Sequence, residues 1–497
     1  MDTLQLLLNG FVTVLQPSNL AFAFAGCLLG TMIGVLPGIG PAAGTAILIP
    51  VTVSLDATGS IIMLSAIYYG AMYGGTITSV LINTPGEAAS AVTCLDGYQM
   101  AKMGRAGPAL AVAAIGSFVG GIVATAGLVV LALPLTRLAL SFGPPEIFAL
   151  LVIGLTLVTA LASQAVTRAL IAAVIGLLLA QVGVDPVMGV GRFTFDRMEL
   201  LDGFNIVPVV MGLFGIAEIM LNVERPAQTP FASNLGSLYL SRQDVRASTG
   251  PIARGTFIGF FLGLIPGLGA MIPTFLSYIV EKRLSKTPEK FGTGMIEGVA
   301  GPETANNAYA NAALIPLFTL GIPSAPATAV LMGAFMINGL IPGPSLFVEH
   351  ATFVWAVIAS LVVGNMMLLV LNLPLIPLWV KLLRIPYEIL VAIILGFCVI
   401  GVFSLNNSVF DIWVMLGFGV VGYVFKKLDI PAAPMVLTLI LGPLMERSLR
   451  QSLEMSGGSF DILFERPIAL TLLVLATVVL LASSLSLFQQ VKADSEI

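Results

Sequence analysis

Long apolar runs, separated by short polar segments, account for most of the 497-residue chain. The runs are long enough for helices in a lipid bilayer, where a crossing helix needs about 20 residues. They lack the roughly ten-residue alternation of apolar and polar positions that marks a membrane β-barrel. The pattern therefore predicts an all-α polytopic membrane protein. The predicted membrane elements are residues 20–55, 60–101, 107–134, 146–162, 169–183, 206–222, 256–281, 293–341, 353–373, 387–404, 409–425, 431–445 and 467–488.

The composition agrees with a lipid environment and excludes several other classes. Apolar residues make up 57% of the chain and charged residues 10%, against roughly 25% charged residues in an average soluble domain. The three cysteines, Cys27, Cys94 and Cys398, lie far apart in sequence, which excludes a disulfide framework and a CxxC metal site. His350 is the only histidine, which excludes multi-histidine metal sites. The net charge of −4 without a basic block argues against nucleic acid as a partner.

The positions of the basic residues predict an orientation in the membrane. If the N-terminal side of 20–55 is outside, 16 of the 22 Lys and Arg residues fall on one side. That side is the cytoplasm by the positive-inside rule. It includes Lys102 and Arg105, whereas Arg192 and Arg450 fall outside.

The two halves of the chain share a motif, which predicts an internal repeat. The pattern GxxxGxxPGxG occurs at 30–40 and again at 259–269, and Pro85 matches Pro323 further along. Corresponding loops differ in charge: 53–60 has no basic residue, whereas the loop after 281 reads KRLSKTPEK. We therefore predict two repeats of opposite orientation, an arrangement typical of secondary transporters. The predicted units are residues 1–222 for the first inverted repeat, 223–255 for a cytoplasmic linker, 256–465 for the second inverted repeat, and 466–497 for a C-terminal transmembrane helix and tail.

Each repeat contains a predicted re-entrant hairpin with a glycine-rich tip. Each arm of 256–281 has about 11 to 12 residues, or roughly 17 Å of helix, which is too short to cross a core of about 30 Å. The matching segment 20–55 is expected to enter from the other side. Non-helical backbone at membrane depth needs cover from protein or a polar cavity, so the tips are candidate ion-binding sites. The candidate tip residues are Pro37, Gly38, Gly40 and Thr45 in the first hairpin and Pro266, Gly267, Gly269 and Thr274 in the second.

Proline also predicts a helix break in each half, at 83–86 and at 321–326. A helix that starts after such a break presents amides and a dipole that attract an anion. Asn307 and Asn311 are four residues apart and share one helix face, a candidate wall of a polar cavity. Asn and Thr oxygens at the tips suit Na⁺, although its ligands are not identified. The candidate substrate-binding residues are Asn83, Thr84, Pro85, Gly86, Pro323, Ser324, Ala325, Thr328, Asn307 and Asn311.

Simpler interpretations of these motifs stay open. Proline and glycine also form plain kinks in membrane helices, and GxxxG is more often a close-packing motif than a ligand site. Glu87 and Asp96 lie either at interfaces or on a proton path. Two other functions also remain open, a passive anion channel and an intramembrane enzyme, although no lysine and no paired acids occur in the apolar runs.

At these motifs the chain resembles the large membrane subunit of the tripartite tricarboxylate transporters. The resemblance extends from about residue 18 to residue 465. It is carried by GxxxGxxPGxG in both halves, by YYGAMYGGTITSVLINTPGEAASAVTCLDGYQMAK, and by GVAGPETANNAYANAALIPLFTLGIPSAPATAVLMGAF.

The resemblance implies a multi-pass permease of the bacterial inner membrane that imports di- or tricarboxylates and is not an enzyme. It implies an elevator-type fold with paired hairpins and a coupling ion, commonly Na⁺, with H⁺ as the alternative. Its implied partners are a small four-helix membrane subunit and a periplasmic solute-binding protein; a homo-oligomer is left open. We expect the carboxylate to bind near the midplane between the two breaks, with the tips closing over it.

Overall fold

The computed structural model describes residues 3–36, 39–161, 166–185, 188–224, 237–382 and 387–494. The described residues are almost entirely helical, as the apolar pattern predicts. One short antiparallel pair, β1 (Gly183–Val184) with β2 (Gly191–Arg192), is the exception.

Every predicted apolar run corresponds to one or more helices. The helices up to residue 223 are α1 (Thr3–Val14), α2 (Pro17–Val35), α3 (Gly40–Thr52), α4 (Ala57–Ile82), α5 (Thr93–Lys102), α6 (Ala106–Leu140), α7 (Pro144–Leu161), α8 (Val166–Leu179), α9 (Ile206–Val210) and α10 (Ala217–Val223). A π-helical segment, Met211–Ile216, joins α9 to α10. Helix α1 was not predicted, because its 12 residues are too few to cross a bilayer.

The second half repeats the same alternation of long and interrupted helices. Its helices are α11 (Arg242–Gly263), α12 (Met271–Leu284), α13 (Glu297–Ala312), α14 (Leu314–Leu320), α15 (Pro326–Ile337), α16 (Pro344–Glu349), α17 (Ala351–Asn372), α18 (Ile376–Leu382), α19 (Tyr387–Asn406), α20 (Val409–Lys427), α21 (Ala432–Met455), α22 (Ile462–Glu465) and α23 (Pro467–Asp494). Short 3-10 helices lie at Ala88–Ala91, Met198–Leu200 and Pro288–Lys290.

Seven helices of the described residues are long and apolar enough to cross a bilayer. They are Pro17–Val35, Ala57–Ile82, Ala106–Leu140, Ile206–Val223, Ala351–Asn372, Val409–Lys427 and Ala432–Met455. Their length and composition support a multi-pass membrane protein. Helix α4 is the most enclosed of them, because its whole apolar window is buried inside the protein.

The predicted arm lengths of the hairpins are wrong for one arm of each. Helix α2 has 19 residues and α11 has 22, about 28 and 33 Å at 1.5 Å per residue. Both begin before the apolar run, because Pro17 occupies the first turn of α2 and Ser241 caps α11. Residues 242–255 of the predicted linker are therefore helical. The arm lengths thus give no support to re-entry, which stays a prediction based on loop charge.

Glycines bring α2 against α4 and α11 against α13. A Cβ atom on Gly30 would lie 2.5 Å from the carbonyl oxygen of Ile67, and one on Gly259 would lie 2.3 Å from that of Ala305. These distances are far below van der Waals contact, so only glycine fits. The two contacts are equivalent: the glycines are 229 positions apart and their partners are 238 positions apart. The close-packing interpretation of GxxxG is therefore correct at both places.

Ion pairs join segments that the charge pattern assigns to the same side. In the described part of the chain, the ion pairs between segments predicted to be cytoplasmic include Arg105–Asp244, Arg254–Glu281 and Lys426–Glu218, at 2.5, 2.5 and 3.4 Å. Those between segments predicted to be outside include Arg192–Glu446 and Arg450–Asp185, at 2.9 and 3.0 Å. None of these five pairs joins the two groups. The fold is therefore compatible with the predicted distribution of loops.

Replacement of Gly30 by alanine is expected to destabilise the protein. The added Cβ would meet backbone atoms of Ile67, which cannot rotate away, and overpacking of this kind costs about 1–3 kcal/mol. The thermal unfolding midpoint of the detergent-solubilised variant measures the loss. Gly417→Ala is the matched control, since its Cβ would meet nothing within 4 Å and alanine favours the helix. Equal midpoints for the two variants would contradict this account of α2 and α4.

Candidate functional site

Both predicted breaks are present, and their backbones are alike. Helix α4 ends at Asn83 (φ 55°) and α14 ends at Gly321 (φ 69°), both in the left-handed conformation. The next amides reach back six residues: the N–H of Thr84 donates to Thr78 over 3.4 Å, and that of Ile322 donates to Pro316 over 3.2 Å. These bonds span one residue more than the 6→1 bond of the Schellman motif, the usual way to end a helix with a left-handed residue.

The hydroxyl beyond each break is equivalent as well. Ser90 Oγ accepts from the amide of Glu87 (3.3 Å) and donates to its carbonyl (3.0 Å). Thr328 Oγ1 does the same with Ala325, at 2.9 Å for both bonds. These four residues keep the 238-residue spacing. The amide of Ala325 is thus already bonded within the protein.

The two breaks differ in the helix that comes after them. Helix α15 starts at Pro326, as predicted, and its first turn faces the second break. After the first break, however, the chain forms only the four-residue 3-10 helix Ala88–Ala91. A helix thus follows each break, as predicted, but after Gly86 it is a 3-10 helix, and α5 begins only at Thr93.

The end of α2 lies against the first break, and the second hairpin tip lies against the second break. Gly86 packs on Gly34 so closely that a Cβ on it would lie 2.4 Å from the Gly34 carbonyl oxygen. In the second half, the amide of Gly267 donates to the carbonyl of Ser324 over 3.1 Å. Gly40 and Gly269 are both left-handed, with φ of 51° and 67°. The other second-tip residue, Pro266, is half-buried, whereas Pro37 and Gly38 lie outside the described residues.

The two predicted tip threonines are buried and bond only to their own helices. Thr45 Oγ1 donates to the Pro41 carbonyl over 2.7 Å, and Thr274 Oγ1 donates to that of Met271 over 2.8 Å. Because each hydroxyl uses its hydrogen in this way, its oxygen lone pairs remain available to accept a hydrogen bond or to bind a cation.

Ser324 is the predicted substrate residue with the most direct support. It is 1% exposed, and its Oγ has no hydrogen-bond partner among the described residues. Its carbonyl is held by the Tyr309 hydroxyl at 2.9 Å. A buried hydroxyl without a partner is costly and needs an explanation such as a ligand. In the first break Asn83 is exposed, Thr84 and Pro85 are half-buried, and Pro323 is buried in the second.

Asn307 and Asn311 share a helix face, but that face contacts α6 and α17. Asn307 Nδ2 donates to Ser117 Oγ over 2.7 Å. Asn311 Oδ1 accepts from Thr125 and Asn365, both at 3.3 Å. These bonds lead both side chains away from the breaks. Asn307 Oδ1 is buried and has no partner among the described residues.

The residue that does reach a break is their neighbour Asn306, which sequence reasoning left out of the site. Asn306 Nδ2 donates to Glu87 Oε1 over 2.6 Å. One turn earlier on α13, Glu303 Oε2 accepts from Thr76 over 2.6 Å and Glu303 Oε1 accepts from Thr93. Both acids are buried, 8% and 1% exposed. The sequence did contain a signal for this contact. Glu303 and Asn306 are three residues apart on one helix, and an acid, Glu87, directly follows a break.

Asp96 is the anchor between the first break and the second hairpin. Its buried carboxylate accepts from the amides of Gly292, Gly294 and Met295, at 2.9, 2.7 and 2.8 Å, and from the Tyr278 hydroxyl at 2.8 Å. These bonds tie α5 to the loop between α12 and α13. They support the interface interpretation of Asp96.

Comparison with known proteins identifies relatives along nearly the whole chain. A sequence model described as the tripartite tricarboxylate transporter TctA family matches residues 20–437. An uncharacterized 52.8 kDa protein in the TAR-I ttuC' 3' region of Agrobacterium vitis is 48% identical over 474 residues, 95% of this chain and 94% of the relative. An uncharacterized protein in the TAR-II ttuC' 3' region of the same organism is 47% identical over 220 residues, 44% of this chain and 91% of that relative. No solved structure matches the chain.

Replacement of Asp96 by alanine is expected to lower stability strongly. Three backbone amides and one hydroxyl would lose their acceptor, and each buried unsatisfied group costs about 1–3 kcal/mol. We expect a total loss of at least about 3 kcal/mol, measured as a lower thermal midpoint in detergent. Glu349→Ala, at an exposed acid, should leave the midpoint unchanged. A midpoint for Asp96→Ala equal to that of this control would show that Asp96 is no anchor.

Proposed function

The chain belongs to the tripartite tricarboxylate transporter TctA family, and on that premise we propose that it is a large permease subunit that imports di- or tricarboxylates by secondary transport. Membership makes it a component of a multi-subunit transporter and not an enzyme, so the intramembrane-enzyme interpretation is excluded. The proposal adds the substrate site, the coupling ion, the partners and the mode of movement.

We propose that the substrate carboxylates bind between the two breaks. The observation that carries this proposal is the buried, unpartnered hydroxyl of Ser324, beside the first turn of α15 with its positive dipole end. In the second half, Thr328 and Ala325 shape the break around it. In the first half, the site uses the exposed amide of Asn83 together with Thr84, Pro85 and Gly86.

We propose that the two halves are inverted repeats and that the hairpins move with their breaks in an elevator-type cycle. The equivalent glycine contacts, left-handed helix ends and hydroxyl caps support a duplicated unit. The opposite loop charges support opposite orientation. The contacts of Gly86 with Gly34 and of Gly267 with Ser324 support movement of each tip together with its break.

The coupling ion and the partners complete the proposal. Na⁺, or H⁺ as the alternative, would drive uptake, with Na⁺ at the tips near Thr45 and Thr274, whose oxygen lone pairs are free. The word tripartite in the family description supports further subunits. We propose a small four-helix membrane subunit and a periplasmic solute-binding protein as these subunits, in a bacterial inner membrane. A homo-oligomer remains an alternative.

Loss of two proposed ligands should weaken carboxylate uptake. The assay uses proteoliposomes that contain the three subunits, a Na⁺ gradient and a panel of labelled succinate, fumarate, malate and citrate. We expect Asn83→Ala with Ser324→Ala to raise the apparent KM at least about tenfold, because each hydrogen bond to a charged group contributes about 1.5–3 kcal/mol.

The matched control for this pair is Ser141→Ala, at an exposed serine that caps no break. Uptake by the double variant equal to that of the control would place the site elsewhere. Saturable counterflow supports a carrier, whereas an ohmic carboxylate current would instead establish a passive channel.

The inverted repeat predicts that equivalent loops lie on opposite sides of the membrane. Ser54→Cys and Lys286→Cys place single thiols in the exposed loops after α3 and α12, in a chain whose native cysteines are replaced by serine. A membrane-impermeant maleimide should label the two sites from opposite sides of oriented vesicles. Lys102→Cys should behave like Lys286→Cys. Labelling of Ser54→Cys from that same side would rule out inversion.

A further inference from the structure

Two buried acids share one polar cluster next to the first break. Glu87 directly follows that break, and Glu303 lies on α13, three residues before the amide that binds Glu87. Glu303 and the Asn306 that binds Glu87 lie one turn apart on α13, which brings both carboxyl groups to the same face of that helix. They lie beside the place where the proposed function puts a substrate anion.

No positively charged side chain of the described residues pairs with these acids. The ion pairs of the described residues all lie elsewhere, and none includes Glu87 or Glu303. An unpaired charge in an apolar interior is very unfavourable, and two neighbouring carboxylates without a cation rarely ionise together. At least one of the two acids must therefore bind a cation, either a proton or a metal ion.

The hydrogen bonds distinguish the two acids. Both oxygens of Glu303 accept from hydroxyl groups, those of Thr76 and Thr93, and such donors favour the ionised form. Their hydrogens point at the carboxylate, which leaves little room for a metal ion between them. Glu87 accepts a single side-chain bond, from Asn306. Glu303 is thus the residue better suited to stay ionised, and Glu87 is the residue better suited to carry a proton.

The amide of Asn306 independently favours a protonated Glu87. Its Nδ2 donates to Glu87 Oε1, while its Oδ1 is buried and has no hydrogen-bond partner among the described residues. An ionised Glu87 can only accept, so it cannot satisfy Oδ1. A carboxylic acid can do both: one oxygen accepts from Nδ2 and the O–H donates to Oδ1. A proton on Glu87 would thus give the unpaired atom a donor.

The position of Glu87 connects this proton to the substrate. An ionised Glu87 would repel a carboxylate bound at Asn83–Gly86, whereas a neutral one would not. Proton binding and anion binding then favour each other, and the linkage is reciprocal. We propose that Glu87 is the proton-binding group of this transporter and must be protonated for the carboxylate to bind, so that H⁺ is carried with it. This inference rests on the proposed function.

In each cycle, the Glu87 carboxylate takes one proton from the water on the side where the substrate enters. It becomes a neutral carboxylic acid, the substrate binds, and both are released on the other side. No other bond changes, and the proton gradient supplies the driving force. Na⁺ at the tips is neither required nor excluded by this step.

Other titratable groups on the elements around Glu87 have their own partners or interact more weakly with it. Glu303 and the buried Tyr68 hydroxyl interact with Glu87 electrostatically. Asp96 is bonded to Tyr278 and backbone amides, and Glu281 is paired with Arg254. The basic residues Lys102, Lys282 and Arg283 of α5 and α12 are exposed. The Cys94 thiol donates to the Ser90 carbonyl over 3.9 Å.

The test measures counterflow and proton influx in the three-subunit proteoliposomes, with the panel substrate that the wild type exchanges fastest. A pH-sensitive dye inside the vesicles reports protons. Wild-type counterflow should fall at least about tenfold from about pH 6 to about pH 9 as Glu87 loses its proton. Glu87→Gln keeps both amide bonds to Asn306 and is neutral, so its counterflow should become independent of pH and bring no protons. Glu349→Gln, at an exposed acid, should behave like the wild type.

A second variant keeps the test decisive if Glu87→Gln does not fold. Glu303→Gln removes the neighbouring negative charge, so Glu87 should lose its proton more easily and the pH midpoint of counterflow should fall by about one unit. A merely structural role would not move this midpoint. The proposal is overturned if Glu87→Gln keeps the wild-type pH profile and proton influx, or if Glu303→Gln leaves the midpoint in place. Absence of counterflow in the wild type for every substrate would refute the proposed function itself.

Discussion

The contact of α2 with α4, and of α11 with α13, determines where everything else in the candidate site lies. Glycine at Gly30 and Gly259 allows a neighbouring carbonyl to approach to a distance that any Cβ would prevent. Because α4 leads into the first break and α13, through α14, leads into the second, the contact fixes α2 and α11 against the helices that lead to the breaks. Irregular backbone at membrane depth must be covered by protein. In the second half, the irregular segment between α11 and α12 is covered by the second break, because the amide of Gly267 donates to the carbonyl of Ser324.

The two breaks have similar backbones but carry different side chains. The position 238 residues after Glu87 is Ala325, and Asn306 corresponds to Tyr68 in the same way. The hydroxyl caps of the two breaks are therefore equivalent, but the pair of an acid and an amide, Glu87 with Asn306, is found only at the first break. The similar backbones of the two breaks offer two similar surfaces to an anion. A single titratable group between these surfaces can respond to an anion bound at either one.

The sequence alone could predict the helices, the two breaks and their equivalence, because proline, glycine and apolar length act locally. It failed where a neighbour decides the outcome. Ser241 starts α11 well before the apolar run, since a cap satisfies helix amides regardless of hydrophobicity. The spacing of Asn307 and Asn311 identifies a shared face but not the helix that meets it. Asn306, one position earlier, points elsewhere and reaches Glu87, a contact between residues 219 positions apart.

The charge of the site explains why transport and coupling can depend on the same residues. A carboxylate held by a fixed Arg or Lys would bind whether or not a coupling ion were present. Neither Asn83–Gly86 nor Gly321–Pro326 contains such a residue, and the buried acids Glu87 and Glu303 lie in the polar cluster next to the first break. In a low-dielectric interior their field strongly opposes a second anion. Under the proposed function, anion binding then requires that a proton first neutralise Glu87, so that the proton becomes a condition of binding.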